Sequence, residues 1–293
     1  MPSYISHVIF GEDVYKRLIK ENSSYSKIPI DDLKMYSLGA DLSHYSKCSE
    51  NSHNKDTKKF FIEMLKYIKQ NNLQTNTNVI SYLYGHIGHY FLDKNVHPLV
   101  YYNSNNLKRY KLISAHTIIE TYIDYYLAQK KINSYIFNID YNYLFNGEYS
   151  LDSSLLTDYI YKKVYGVSSV SKSYKKVIKR LKLLQKILNV DLIGNYVYKN
   201  VINFIKENEL NQIDIINKNN NYWMMPITNQ LVNDSLMDLY NKSLVETINA
   251  IKKIDNYLYK NYEINEIAYL FDNSSYDTGI DCDYKKTIKK VIN

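Results

Sequence analysis

The chain has 293 residues, which is enough to bury a large core in one or two domains. Only 8 glycines and 4 prolines are present, so turn-forming residues are sparse and an all-α protein is predicted. The formal net charge of +7 permits contact with an anionic partner without demanding one, and nucleic acid is not expected as a partner.

The cysteines and the apolar runs indicate where the protein works. Cys48 and Cys282 are too few for a disulfide framework. The N-terminal stretch MPSYISHVIFGEDVYKRL lacks the basic start and apolar run of a signal peptide. No apolar run approaches the ~18 residues that span a bilayer. We therefore expect a cytoplasmic protein with reduced thiols, of undetermined oligomeric state.

Short elements are predicted in the N-terminal part. A helix is expected from Asp13 to about Lys20, with His7 in front of it. Gly39 and Asp41 indicate a turn that enters a helix. The next helix begins just after His53, where apolar residues recur at helical spacing: Phe60, Phe61, Met64, Leu65 and Ile68.

The stretch GHIGHYFLDKNVHP carries a polar stripe. His89, Asp93 and His97 are each four residues apart, so they lie on one narrow face of the helix predicted over 78–97. The stripe is roughly 12 Å long, which is too long for one metal ion but suits two neighbouring ions with Asp93 between them. A solvent-facing polar stripe is the alternative, although Lys, Glu and Asn would be more usual there.

A second helix repeats the spacing after a short connection. Pro98 disfavours helical geometry at His97, so the first helix is predicted to end there, before a connection at Asn103–Asn106. The two stripes could then face each other in a bundle. The second stripe consists of His116, Glu120 and Asp124.

The histidines are confined to one part of the chain. All seven lie at or before position 116, which scattered structural histidines would not normally do. Imidazole and carboxylate ligands suit zinc, iron or manganese, and the lack of a thiolate cluster argues against a cysteine-based structural zinc site.

The C-terminal part carries less chemistry. Trp223 lies in a predicted loop over 217–228, where we expect it to pack and substrate contact is the alternative. The segment 272–283 is predicted to be a mobile loop before a short final helix. Further helices are predicted over Leu155–Tyr165, Ser171–Val190, Leu192–Glu207 and, as one or two helices, Gln230–Lys260.

One of these helices is strongly basic on one face. Such a helix could make peripheral contact with an anionic membrane, but a packed helix with a solvated charged face is the more usual arrangement. Its apolar stripe is Val177, Leu181, Leu184 and Leu188, and its opposite face carries Lys175, Lys179, Lys182 and Lys186.

Five motifs in order resemble the zinc-dependent phospholipase C family. They are SHVIFGEDV, LGADLSHY, the His53–Thr57 segment before Phe60, GHIGHYFLDKNVHP and HTIIE, and they cover about the first 125 residues. The resemblance implies an all-α, multi-helix bundle with a metal cluster between helices. Residues 1–130 would form the metal-binding core, and residues 131–293 would add C-terminal helices packed on it as one domain.

The resemblance also implies ligands for two or three Zn²⁺ ions. His44 and His86 match no ligand position, and Asp124 is a candidate for orienting a ligand. One zinc would take Asp41, His53, His89 and Asp93; a second would take His97, His116 and Glu120; a third would take His7 and share Asp93.

The function implied is hydrolysis of a phosphodiester, most simply a phospholipid, to diacylglycerol and a phosphorylated head group. The ions would polarise the phosphoryl oxygens and lower the pKa of a water, while Asp41 orients or deprotonates that water. Leu42 replaces an aromatic residue of the choline-cleaving members, so choline specificity is not implied.

The alternatives are a single-strand nuclease or phosphomonoesterase with the same cluster, or an inactive metal-binding scaffold. HExxH, paired ExxH, adjacent His-Asp and Gly-rich phosphate motifs are absent.

Overall fold

The computed structural model describes residues 4–107, 115–133, 144–188, 214–260 and 262–284. Over these ranges the chain is all-α, as predicted, apart from a short antiparallel ribbon of β1 (Trp223–Met224) and β2 (Leu231–Val232). None of the described helices is long and apolar enough to cross a membrane. The helices are α1 (Tyr4–Glu21), α2 (Ile30–Tyr36), α3 (Ser49–Asn54), α4 (Thr57–Gln70), α5 (Thr77–Leu107), α6 (Ala115–Ile132), α7 (Leu151–Tyr165), α8 (Ser171–Leu188) and α9 (Leu236–Tyr259).

The longest described helix, α5, is the centre of the fold. Every residue from 79 to 93 is buried, so this helix is enclosed on all sides. Helices α1, α2, α6 and α9 pack directly against it. Because α5 carries the predicted ligand stripe, its neighbours bring their own side chains to the same place.

Helix α5 was predicted to end at His97, and this prediction is wrong. The helix continues through Pro98. A proline inside a helix lacks the N–H that the carbonyl of Lys94 would otherwise accept. The backbone of Gly279 lies against that carbonyl, since a β-carbon at Gly279 would come within 2.5 Å of the Lys94 oxygen and 3.5 Å of the proline ring. Tertiary packing thus supports the helix past the proline, and the predicted connection at 103–106 lies within it.

Helix α1 was predicted to begin near Asp13, but it begins at Tyr4. Its first turn is held by Asp124 of α6, whose Oδ1 accepts hydrogen bonds from the Ser6 backbone N–H at 2.8 Å and from the Ser6 hydroxyl at 2.5 Å. A carboxylate at a helix N-terminus satisfies an otherwise unpaired N–H and interacts favourably with the helix dipole. His7 therefore lies inside a helix instead of in front of one.

The segment 272–283 packs on the bundle, contrary to its prediction as a mobile loop. Ser275, Tyr276 and Thr278 are buried, and the Tyr276 N–H donates to the carbonyl of His53 at 2.8 Å. Backbone hydrogen bonds and buried hydroxyl groups hold this segment on the bundle. A prediction based on the spacing of apolar residues cannot detect contacts of this kind. The predicted final helix and the predicted helix over Leu192–Glu207 lie outside the described residues.

The other described helices lie close to their predicted positions. The apolar pattern after His53 lies in α4, and a single helix, α9, occupies the region for which one or two were predicted. Trp223 is buried, and its indole N–H donates to the carbonyl of Asp234 at 3.1 Å, which is a packing role. The division of the chain into a core and C-terminal helices stays a prediction.

The contact between α5 and α2 gives a testable prediction. A β-carbon at Gly85 would lie 2.4 Å from the carbonyl carbon of Tyr36, so Gly85→Ala forces the two helix backbones apart. We expect a loss of about 1–3 kcal/mol in the free energy of unfolding, measured by urea denaturation.

Gly88→Ala, one turn further along α5, is the matched control. A β-carbon there would meet nothing nearer than Phe10 at 3.5 Å, and alanine has the higher helix propensity. This variant should be as stable as the parent or slightly more stable. Equal losses in the two variants would contradict the close α5–α2 contact.

Candidate metal centre

Five elements direct ionisable side chains into one buried region. Helix α5 carries the stripe predicted from the sequence, and the neighbouring elements contribute one or two residues each: α1, the 3₁₀ helix Gly39–Ser43, α3 and α6. The eight side chains gathered there are His7, Asp41, His53, His89, Asp93, His97, His116 and Glu120.

One end of the region is built around Asp93. Its Oδ1 lies 3.1 Å from His7 Nε2, and its Oδ2 lies 3.2 Å from His89 Nε2. Asp41 Oδ1 lies 3.1 Å from His53 Nε2. Potential ligand atoms lie within 4.8 Å of one another in two overlapping groups, one of His7, Asp41 and His89 and one of His53, His89 and Asp93.

The other end is built around Glu120. Its Oε1 lies 3.0 Å from His116 Nε2 and 3.2 Å from His97 Nε2, so α5 and α6 face each other as their stripes predicted. These three residues form a third group of potential ligands within 4.8 Å. Asp93 Oδ2 also approaches His97 Nδ1 at 3.7 Å, which places Asp93 between the two ends.

A glycine makes room for the central histidine. A β-carbon at Gly39 would lie 2.3 Å from the ring of His89, and the φ angle of Gly39 is +47°. Both observations favour glycine, because other residues rarely adopt that backbone geometry. The turn that carries Asp41 can therefore pass directly over His89.

The unpaired polar atoms of the region are those expected of a metal site. Among the described residues, nine buried side-chain nitrogen or oxygen atoms have no hydrogen-bond partner, and six of them belong to the eight side chains named above. Buried polar groups normally find partners, so such a concentration requires an explanation. The six atoms are His7 Nδ1, Asp41 Oδ2, both ring nitrogens of His89, Asp93 Oδ2 and His116 Nδ1. His89 Nε2 and Asp93 Oδ2 lie 3.2 Å apart but do not form a hydrogen bond with each other. Imidazole nitrogens and carboxylate oxygens at this spacing fit zinc.

Backbone carbonyls orient two of the histidines. His53 Nδ1 donates to the carbonyl of Ser49 at 2.9 Å, and His97 Nδ1 donates to the carbonyl of Tyr276 at 3.0 Å. In each ring the proton is thus held on Nδ1, and Nε2 is left to act as a ligand. Sequence reasoning missed Tyr276, which lies 179 residues from His97 in the chain.

The remaining predicted positions lie outside these groups. Asp124 bonds to Ser6, the residue next to His7, and so acts on the start of α1. His86 is buried beside Tyr174, and burial lowers its pKa to about 3, so it is a neutral core residue. His44 is exposed.

Charge around Asp93 is balanced by histidines. Burial raises the pKa of Asp93, but the contacts with His89, His97 and His7 lower this pKa by more than burial raises it. The carboxyl of Asp93 therefore remains ionised. Burial lowers the pKa of His97, but Asp93 and Glu120 raise it well above its usual value. Burial holds the pKa of His89 well below its usual value, so His89 is neutral and available as a ligand, and the positive charge beside Asp93 comes from His97 and His7, whose pKa values are raised.

The Asp41–His53 pair holds a proton in the metal-free protein. Burial raises the pKa of Asp41, although the bond to His53 opposes this effect. Burial lowers the pKa of His53, but the hydrogen bond and charge of Asp41 raise it to about 9. Both shifts favour one proton shared between the two side chains at neutral pH, and a metal ion would displace it.

Comparison with known families matches residues 6–174 to the family described as zinc dependent phospholipase C. Comparisons with curated proteins and with solved structures found no match. The matched range is more than half of the chain and contains all eight side chains of the metal centre. The chain therefore belongs to the zinc-dependent phospholipase C family, whose members are zinc hydrolases.

Proposed function

We propose that this protein hydrolyses the phosphodiester bond of a phospholipid, and that the eight side chains of the metal centre hold two or three zinc ions for this reaction. The observation that carries the proposal is the convergence of three groups of potential ligands along one buried stripe of α5, with unpaired ligand atoms. Bound zinc supplies Lewis-acid activation of the phosphoryl group and of water.

The distances suggest how the ligands are shared. His97, His116 and Glu120 form one site, and His53, His89 and Asp93 form another, with Asp41 adjacent through His53. His7 contacts Asp93 and is grouped with Asp41 and His89, which supports His7 as the proposed ligand of a third ion.

Asp41 is the proposed general base. Its Oδ1 is engaged with His53, while its Oδ2 is buried and has no hydrogen-bond partner. Burial raises the pKa of this carboxyl, which strengthens it as a base. The free oxygen can accept a proton from the attacking water, and the same carboxyl can return that proton to the departing glycerol oxygen as the P–O bond breaks.

The alternatives are less well supported. A single-strand nuclease would stack bases on aromatic side chains, and Trp223 does not serve this purpose because it is buried with its indole N–H bonded. A phosphomonoesterase could use the same cluster, and substrate comparison separates the two. An inactive scaffold would retain zinc without any hydrolysis.

The first test is the zinc content of the purified protein. We expect two or three zinc ions per chain by elemental analysis. The double variant His89→Ala with Asp93→Ala should lose most of them, because His89 belongs to both groups at one end of the centre and Asp93 belongs to one of them. His44→Ala, a change at an exposed histidine, should lose none. A zinc-free protein after reconstitution would overturn the proposal.

Zinc affinity should depend on pH with a definite sign. Because the pKa of His53 is raised to about 9, a proton competes with zinc for this nitrogen at lower pH. Affinity should therefore rise from pH 6 to pH 8.5, by up to about tenfold per pH unit for each proton displaced. Chelator competition gives the affinity, and calorimetry in buffers of different ionisation enthalpy counts the protons. A flat profile would contradict the shared proton.

Hydrolysis itself is tested with Asp41→Asn. The zinc-loaded parent should release diacylglycerol from short-chain phospholipids, lose this activity to a chelator and regain it with zinc. The variant should lower kcat by about 10²–10⁴-fold, because an amide cannot take the proton. Its zinc content should fall by no more than one ion.

Asp31→Asn, which changes a half-exposed carboxylate on α2, is the control and should keep full activity. A parent that leaves every phospholipid and simple phosphodiester intact while holding its zinc would favour the scaffold.

A further inference from the structure

A groove of about 500 Å³ lies between α8 and the turn that carries Asp41. Two of its lining residues are neighbours of metal-centre residues. Tyr4 precedes His7 by three positions on α1, which places both on one side of that helix. His44 follows Asp41 by three positions, and its backbone N–H donates to the Asp41 carbonyl at 3.1 Å. The groove therefore adjoins the metal centre.

Hydrogen bonds fix α8 to the Asp41 turn. The Ser173 hydroxyl donates to the carbonyl of Leu42 at 3.1 Å and accepts from the backbone N–H of Tyr45 at 2.9 Å. Ser173 is itself buried. The groove is thus held in a constant position relative to Asp41, as a substrate-binding site must be.

One wall of the groove is apolar and open. Val177 and Leu181 are buried in its floor, as their place in the predicted stripe requires. Leu183, Leu184 and Ile187 line the same groove and are 57%, 43% and 42% exposed. Covering large aliphatic side chains of this kind with a hydrocarbon chain is favourable.

The Tyr45 end of the groove carries positive charge, because Arg180 lines it and Lys176 lies beside it over the Tyr45 ring. Lys176 Nζ lies 4.2 Å from the centroid of the Tyr45 ring, and the Arg180 guanidinium donates to the Tyr45 hydroxyl. No described residue that lines the groove is acidic. Since protein cations already occupy this ring, a quaternary ammonium group would meet repulsion there rather than a cation–π contact.

Resting on the proposed function, we propose that this groove binds the substrate lipid and selects phospholipids of net negative charge over choline phospholipids. The acyl chains lie on the aliphatic side chains of α8, and Lys176 and Arg180 attract the anionic lipid. The adjoining Asp41 turn places the phosphodiester at the metal centre.

The experiment uses short-chain lipids below their micelle concentration, so that attraction to a membrane surface cannot contribute. Binding of uncleavable phosphonate analogues of dihexanoyl phosphatidylglycerol and dihexanoyl phosphatidylcholine to the zinc-loaded full chain is measured by calorimetry. We expect the phosphatidylglycerol analogue to bind at least about fivefold more tightly at low salt, with the preference shrinking as salt screens the charges.

Paired variants identify the source of the preference. Lys176→Gln with Arg180→Gln should abolish it. Lys175→Gln with Lys179→Gln removes the same charge from the same helix at exposed residues that neither line the groove nor have a described contact with the Tyr45 ring, and should preserve it. Equal binding of both analogues to the parent, or equal effects of the two double variants, would overturn the proposal.

Turnover of the cleavable lipids separates this proposal from the proposed function. A charge preference in binding without any hydrolysis would leave the groove assignment in place and overturn the phospholipase. Hydrolysis of both lipids at equal kcat/KM and with equal binding would support the phospholipase and overturn the selectivity.

Discussion

The burial of Asp93 on α5 is the constraint on which the rest of the structure depends. An ionised carboxylate inside a protein is costly unless opposite charges or hydrogen bonds surround it. Here three histidines approach it, two from its own helix and one from α1. The helix must be long enough to present the stripe and enclosed enough to exclude water, which explains why its neighbours pack around it on all sides.

The same arrangement lowers the folding stability of the metal-free protein while it leaves side-chain atoms available as metal ligands. Several ring nitrogens and carboxylate oxygens are buried without partners, and each such group costs about 1–3 kcal/mol when unpaired. Protons shared between carboxylates and imidazoles reduce this cost in the metal-free protein. A metal ion would replace those protons and satisfy the remaining atoms, which would link metal binding to folding stability.

Local spacing made part of this centre predictable. The stripe of His89, Asp93 and His97 depends only on helical periodicity, and the same holds for His116 and Glu120 on α6. Periodicity within one helix does not show which helices meet. The prediction that residues of α1, the Asp41 turn and α3 join these stripes therefore rested on the order of the family motifs.

Contacts between distant residues account for the errors. The start of α1 depends on Asp124, more than a hundred positions away, and the passage of α5 through Pro98 depends on Gly279. Neither partner carries a local signal for its role. The amphipathic pattern of α8 could be predicted from the sequence. Which part of its surface stays exposed could not, because exposure depends on the elements that pack against the helix.

The carbonyl of Tyr276 fixes the ring of His97 across 179 positions of sequence, and this distance has a consequence for biosynthesis. At elongation rates of about 5–20 residues per second, roughly 9–36 s pass between the synthesis of these two residues. During that interval all the histidines have been made, but one of them lacks the acceptor that sets its tautomer. The final ligand geometry therefore exists only after the segment that carries Tyr276 has been made and has docked on the bundle.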